Sequence, residues 1–273
     1  MSATANVRST ASRAANSKPL EYLARGGFIA YGVIHLLFAW LVLQVAFFDS
    51  NQETDQSGAL RAIAAQPGGK VALVLIIIGM AALAVWQAFV AAIGESGPRD
   101  RTAMAERVIS GCRAVLYAYF AYLSYKVVSG ASASQGDSQQ SNASNLMDSG
   151  GGRFLVGLIG LVVLGVGIGL IVYGLTKKFE KHLDTYRMTP QVRQTVRRLG
   201  MAGYSSKGVA YGIAGVLVIA AAVTYDPEKA RGLDAALKTL ASQSYGPWLL
   251  GLIALGIAAF GVYCFFQAKY RQV

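Results

Sequence analysis

Residues 154–175 run without a single charged side chain, and five further hydrophobic runs lie at about 27–48, 71–93, 108–128, 202–225 and 248–268. A helix needs roughly 20 apolar residues to cross a hydrocarbon core about 30 Å thick, so runs of this length dictate what the chain can become. Soluble domains carry about 25% charged residues. This chain carries 14%, with 54% hydrophobic residues and a mean hydropathy of +0.42. An integral, all-α membrane protein with six transmembrane helices is the expected class.

The segments between the runs are short and polar. Residues 1–20 are rich in Ser, Ala, Thr and Asn, carry Arg8, Arg13 and Lys18, and contain no acid. Such a segment cannot bury enough apolar surface to fold alone, so a disordered cytoplasmic tail is expected there. In the first loop Ala59, Leu60, Ile63 and Ala64 have helical spacing, and Pro67-Gly68-Gly69 stops the pattern. That pattern predicts a short interfacial helix. A second one is predicted over 235–241, ended by Tyr245-Gly246-Pro247. Asp234, just before it, reads as its cap. Residues 130–152 are rich in Ser, Gln, Asn and Gly without apolar periodicity, which predicts a mobile loop.

The chain also repeats itself. A shift of 176 or 177 residues superposes Gly27 on Gly203, Gly32 on Gly208, His35 on Tyr211, Gln66 on Gln243, Gly69 on Gly246 and Gly79 on Gly256. Glycines match as well as aliphatics, so composition alone does not explain the fit. The middle pair of runs fits less closely: Arg113 and Tyr117 align with Lys207 and Tyr211, and Gly152-Arg153 with Gly69-Lys70, while the short helix is expected to be missing. Three hairpin repeats follow: residues 21–96, 97–180 and 181–273.

Charge sets the orientation. Four basic residues lie in 1–25, three in 94–112, seven in 176–202 and two after 268. The other three loops hold Arg61, Lys70, Lys229, Arg231 and Lys238 diluted by eight acids. The positive-inside rule then puts both termini in the cytoplasm and gives the three hairpins a parallel orientation. Most of the net charge of +11 is assigned to this role and to anionic lipid at the cytoplasmic face. Nucleic acid is excluded as a partner because no basic stretch is interleaved with exposed aromatics.

Three stretches carry a family resemblance: Ala24-Arg25-Gly26-Gly27-Phe28-Ile29-Ala30-Tyr31-Gly32, Gly174-Leu175-Thr176-Lys177-Lys178-Phe179, and Asp226-Pro227-x-x-Ala230-x-Gly232-Leu233-Asp234-x-Ala236-Leu237. They resemble the bacterial membrane family catalogued as domain of unknown function 1206, over roughly residues 20–270. The resemblance implies three paired-helix repeats in a bacterial cell (inner) membrane. It implies no activity. His35 and Tyr31 depart from the resemblance, which more usually has Tyr and a basic residue at these positions.

One cluster of chemistry stands out. Tyr31, Arg113 and Lys207 occupy equivalent positions about one turn inside the first, third and fifth runs. Four residues on, His35, Tyr117 and Tyr211 share the same helix faces. Around a pseudo-threefold axis they would form two stacked rings. Ionisable groups in a span cost about 2.5–3.5 kcal/mol each at the helix centre and often mark ligand sites. An inward-facing anion or lipid-headgroup site is one reading. The other is snorkelling basic side chains and interfacial tyrosines. For close helix packing the candidates are the Gly165/Gly169 and Gly208/Gly212 pairs.

No HExxH, GxSxG, P-loop or CxxC motif is present, and the runs hold no Asp or Glu. Neither an enzyme nor a carboxylate proton relay is expected, and no catalytic or metal-ligating residue. Cys112 and Cys264 make neither a metal-type spacing nor a disulfide framework. No cofactor is expected: His182 lies in a basic loop, so bis-histidine haem lacks a second ligand in the membrane. Two readings remain. One is a non-enzymatic module that organises lipids, a membrane-protein partner or a second copy of the chain. The other is a small transporter or channel using the six ring residues.

Overall fold

The computed structural model describes residues 18–48, 54–93, 101–131, 134–149 and 151–271. Nine α-helices and no strand occur among them: α1 (Lys18–Phe47), α2 (Gln56–Ala64), α3 (Gly69–Ile93), α4 (Arg101–Val128), α5 (Gln135–Met147), α6 (Gly152–Leu175), α7 (Pro190–Thr224), α8 (Leu233–Ala241) and α9 (Gly246–Tyr270). Short 3₁₀ turns cover Lys178–His182, Thr185–Arg187 and Pro227–Ala230. The tail expected over 1–20 lies outside the described residues up to position 17, and α1 already begins at Lys18.

Among the described residues five helices are long and apolar enough to cross a membrane: Leu20–Phe47, Gly69–Ala92, Gly152–Leu175, Pro190–Thr224 and Gly246–Tyr270. The helix over the remaining expected run, α4, has the length, with 28 residues, but not the apolarity. Arg113 and four tyrosines, Tyr117, Tyr119, Tyr122 and Tyr125, dilute its aliphatics. The 35-residue α7 extends well before its apolar run because Thr189 caps it, accepting from the Val192 N–H at 3.4 Å, and Pro190 fits the first turn.

The described residues divide into two compact units: those within 1–31, 63–131 and 264–273 form the first, and those within 32–62 and 132–263 form the second. In the first, α3 packs along α4, and Gly27 lies so near α3 that a Cβ there would overlap the Gly79 carbonyl oxygen. Arginines close open helix ends. Arg107 donates to the Ala91 and Ala92 carbonyls at 2.8 and 2.6 Å, and Arg25 to those of Ala268 and Lys269 at 2.6 and 2.8 Å. The last carbonyls of a helix have no partner within it, so a guanidinium there both satisfies them and meets the negative end of the dipole. Arg25 and Arg107 hold equivalent positions in the first two repeats.

In the second unit α6 and α7 meet along a glycine seam. A Cβ on Gly167 would come within 2.6 Å of the Gly212 nitrogen, one on Gly215 within 2.5 Å of the Leu164 nitrogen, and one on Gly160 within 2.8 Å of the Ile219 nitrogen. Around Gly165 and Gly169 nothing lies within 4 Å of an added Cβ, so that expected packing pair faces away from the seam. Gly208 belongs to the seam, 2.6 Å from the Gly167 oxygen by the same measure, and Gly212 meets it through its backbone. The seam repeats every seventh residue, at Gly160, Gly167 and Gly174, rather than every fourth.

The middle repeat keeps its short helix, against the expectation of a mobile loop. Ser134 caps α5 by accepting from the Asp137 N–H at 3.0 Å, and Asp137 then sits in the positive first turn. Ala143 and Met147 of this polar helix are buried against Val156, Ala221, Ala222 and Ala230. Arg231 pairs with Asp137 at 2.7 Å, and Tyr225 donates to the Met147 carbonyl at 3.3 Å. Tertiary packing carries a helix that its composition would not. In α8, by contrast, Leu233, Ala236, Leu237 and Leu240 make the expected buried stripe.

All three short helices end in the same turn. The N–H groups of Gly69, Gly152 and Gly246 donate to the carbonyls of Gln66, Ser149 and Gln243 at 2.9, 3.0 and 2.8 Å. At each glycine a Cβ would overlap a backbone carbonyl oxygen six residues back, that of Ile63, Leu146 or Leu240. Glycine is required there by space, and the following long helix starts from it each time.

Candidate functional site

The structure gathers the six ring residues into smaller groups. In the first unit Tyr31 is buried, with its ring edge-on to Tyr117 and Phe120 at centroid distances of 5.4 and 5.8 Å. Arg113 is half-buried, one turn before Tyr117 on α4. In the second unit His35 is 1% exposed, and its Nε2 lies 3.2 Å from the Lys207 Nζ. At this distance a charged Lys207 ammonium can only donate, with Nε2 as the acceptor. The Lys207 Nζ also lies 3.9 Å from the centre of the Phe260 ring, while His35 packs on the same ring at 4.8 Å. Ring face and imidazole together hold the cation.

Tyr211, one turn on from Lys207, does something different. Its side chain hydrogen-bonds that of Gln56 and lines a cavity of about 360 Å³. The wall is aliphatic: Val156, Ile159, Val162, Val163 and Val166 of α6 with Ala214 and Val218 of α7. Gln56, Gln135, Gln139 and Asn142 supply the polar rim, and among the described residues no charged side chain lines the space. Gln56 is itself 4% exposed. The Gln135 Oε1 is buried without a hydrogen-bond partner, although its backbone N–H donates to the Ser57 Oγ at 3.2 Å. Sequence reasoning misses these amides because three of them fall in the stretch expected to be a loop. The available signal is Ser134-Gln135-Gly136-Asp137, a Ser-x-x-Asp capping pattern.

Two acids of the connection between α7 and α9 are tied to neighbours. Asp234 does not cap α8, whose N-cap is Gly232. It is 1% exposed, accepts from the Thr54 N–H at 2.8 Å and pairs with Lys238 at 3.0 Å, so it pins the first-repeat loop to α8. Asp226 caps the Pro227–Ala230 turn and pairs with Lys229 at 3.3 Å. Among the described residues no group of three His, Cys, Asp or Glu side chains is placed to hold a metal ion. A wider depression bordered by Asp137, Asn145, Tyr225 and Glu228 is open polar surface without an enclosing wall.

On the basic connection between α6 and α7, Glu180 receives the Arg197 guanidinium at 2.6 and 3.1 Å, with Arg193 at 3.8 Å. The Arg197 hydrogen bond holds its carboxyl below the usual carboxylate range against the opposing effect of burial, with Arg193 and Lys177 adding to the pull.

A family model described as "Domain of Unknown Function (DUF1206)" matches residues 26–94, 110–177 and 202–271. The chain is also 28% identical over 262 residues to the "Uncharacterized protein YxxB" of Bacillus subtilis (strain 168), covering 94% of each chain. No solved structure matches. With three tandem matches spanning most of its length, the chain belongs to the domain of unknown function 1206 family.

Proposed function

We propose that the chain is a non-enzymatic membrane module that organises lipids or partner proteins. It is built as six spans in three parallel hairpins, in a bacterial cell membrane, with both termini in the cytoplasm. The observation that carries this reading is the outer face of α6, where Phe154, Leu161, Val162 and Ile168 are 75, 57, 60 and 55% exposed while Gly160, Gly167 and Gly174 turn inward. A contiguous aliphatic face of this kind is stable against hydrocarbon and costly against water. The sixth span is α4: at about 1.5 Å per residue its 28 residues reach about 42 Å. Arg107 and Arg113 lie in the half of α4 nearer its N-terminal end, where basic side chains reach the interface.

The part-buried His35–Lys207 pair favours a second reading, an anion or lipid-headgroup site in a small transporter. The test is native mass spectrometry of the purified protein beside Arg113→Ala/Lys207→Ala. The module reading expects a spread of phospholipid adducts, anionic lipids among them, that the double variant keeps. Loss of one defined solute in the variant would move the assignment to transport. A protein that leaves the membrane fraction without detergent would sink both readings.

A further inference from the structure

The cavity beneath α5 combines three properties that together specify an occupant. Its wall is aliphatic, its rim is made of side-chain amides and a phenol, and among the described residues no charged side chain reaches it. A charged headgroup would lose its hydration there without gaining a counter-charge, which excludes free fatty acids and phosphate esters from the rim. An uncharged polar head is accommodated by the side-chain amides of Gln135, Gln139 and Asn142, which can both donate and accept.

The way in is from the side. Ile159, Val162 and Val166 line the cavity and are also 49, 60 and 51% exposed on the surface of α6. Cavity wall and outer helix face are therefore continuous, and a molecule already dissolved in the bilayer can enter without crossing water. At about 360 Å³ the space lies at the small end of ligand pockets, enough for a headgroup and the first part of one chain.

The geometry points to a binding site for a single-chain membrane amphiphile with an uncharged, hydroxyl-bearing headgroup, its head against the amides of Gln135, Gln139 and Asn142 and its chain along α6. This deepens the lipid-organising reading and rests on it. The hydroxyls donate to amide oxygens of the rim and accept from its NH₂ groups, and the alkyl chain lies against Val163 and Ile159.

The test uses the full-length protein in detergent, stripped of loosely held lipid and titrated with monoolein, oleate or palmitoyl-oleoyl phosphatidylglycerol, with binding read by native mass spectrometry. Monoolein is expected to bind saturably at one per chain, and oleate at least tenfold more weakly. Val163→Phe, which fills the space, should weaken monoolein at least tenfold. Gln135→Leu, which leaves the wall intact, should weaken it roughly fivefold, the loss of one hydrogen bond. Circular dichroism confirms that each variant is folded, and Gln135→Leu at the rim carries the test should Val163→Phe fail to fold. Equal binding of oleate and monoolein, or undiminished monoolein binding by Gln135→Leu, overturns the site. The phospholipid retained in the same spectra separates two failures. If phospholipid is held but monoolein is not, this site alone falls; if neither is held, the lipid-organising reading falls with it.

Discussion

Two faces of α6 solve opposite problems with the same seven-residue frame. Along one, Gly160, Gly167 and Gly174 remove every side chain, so that the backbone of α7 comes close enough that an added Cβ would strike it. Along the other, Val156, Ile159, Val163 and Val166 hold the neighbours apart and leave a cavity of about 360 Å³. In hydrocarbon no hydrophobic force draws two helices together, so close association depends on van der Waals contact and small residues. The contrast shows that the glycines of this helix are not interchangeable. Their register decides whether a position is a contact or open lipid-facing surface.

The largest effect should come from breaking the seam. Gly167→Leu places a side chain where the Gly212 nitrogen and the Gly208 oxygen lie 2.6 and 2.7 Å from the Cβ. Overpacking against backbone that cannot yield is expected to cost about 3 kcal/mol or more. Gly165→Leu, two residues away with nothing within 4 Å, should stay within about 0.5 kcal/mol. Thermal transitions of the two variants in detergent decide it: equal losses would mean the seam does not hold the pair. The same measurement sharpens the other face. Val163→Phe enters empty space and should leave the transition unchanged or raise it by an amount worth about 0.5–2 kcal/mol. A marked drop would show that the cavity is needed for folding.

How far the sequence foretells this follows from what each feature depends on. Hydrophobic runs and the stripes of α2 and α8 are local patterns, and a window of residues shows them. The seam escapes such a window because Gly165/Gly169 matches a familiar spacing, whereas the contact register depends on which face α7 approaches, a tertiary fact. The helix α5 escapes it because its composition argues against one. It exists because Ala143 and Met147 find a surface made by α7 and the turn after it, and only the Ser134–Asp137 cap is visible beforehand. In the candidate site, the positions of His35 and Lys207 on related helix faces are legible. Their sharing of the Phe260 ring is not, since that ring comes from the far end of the chain. Asp234 reads as a cap because caps are local, whereas its partner Thr54 lies in another repeat.

An intermediate effect is expected at the basic pair. Lys207→Met keeps the length and apolar stem but removes the cation held by His35 and Phe260. It leaves the His35 Nε2 without its Lys207 donor, at a cost of about 1–2 kcal/mol from the lost hydrogen bond and ring contact together. Lys207→Arg, which keeps charge but changes shape, should recover part of it. If Lys207→Met is as stable as the parent by thermal transition, the pair is not a packing element, and the headgroup-site reading gains over the structural one.

The smallest effect belongs to the connection that joins the two seam helices, where Glu180 holds Arg197 and Arg193 beside the start of α7. The pair is partly open to solvent, with the Arg197 side chain 38% exposed, so Glu180→Gln should cost no more than about 1 kcal/mol at neutral pH. Its pH dependence is more telling than its size. The folded carboxyl titrates below its ordinary value of 4.5, so its contribution is fully present above that pH and disappears as the pH falls through the folded value. Parent and Glu180→Gln transitions should therefore run parallel from pH 8 down to about 5 and converge below about 4.5. A gap that opens or closes between pH 6 and 8 would assign the effect to another group. One that persists undiminished under strongly acidic conditions would mean that the Glu180→Gln variant loses a neutral packing contact and not an ion pair.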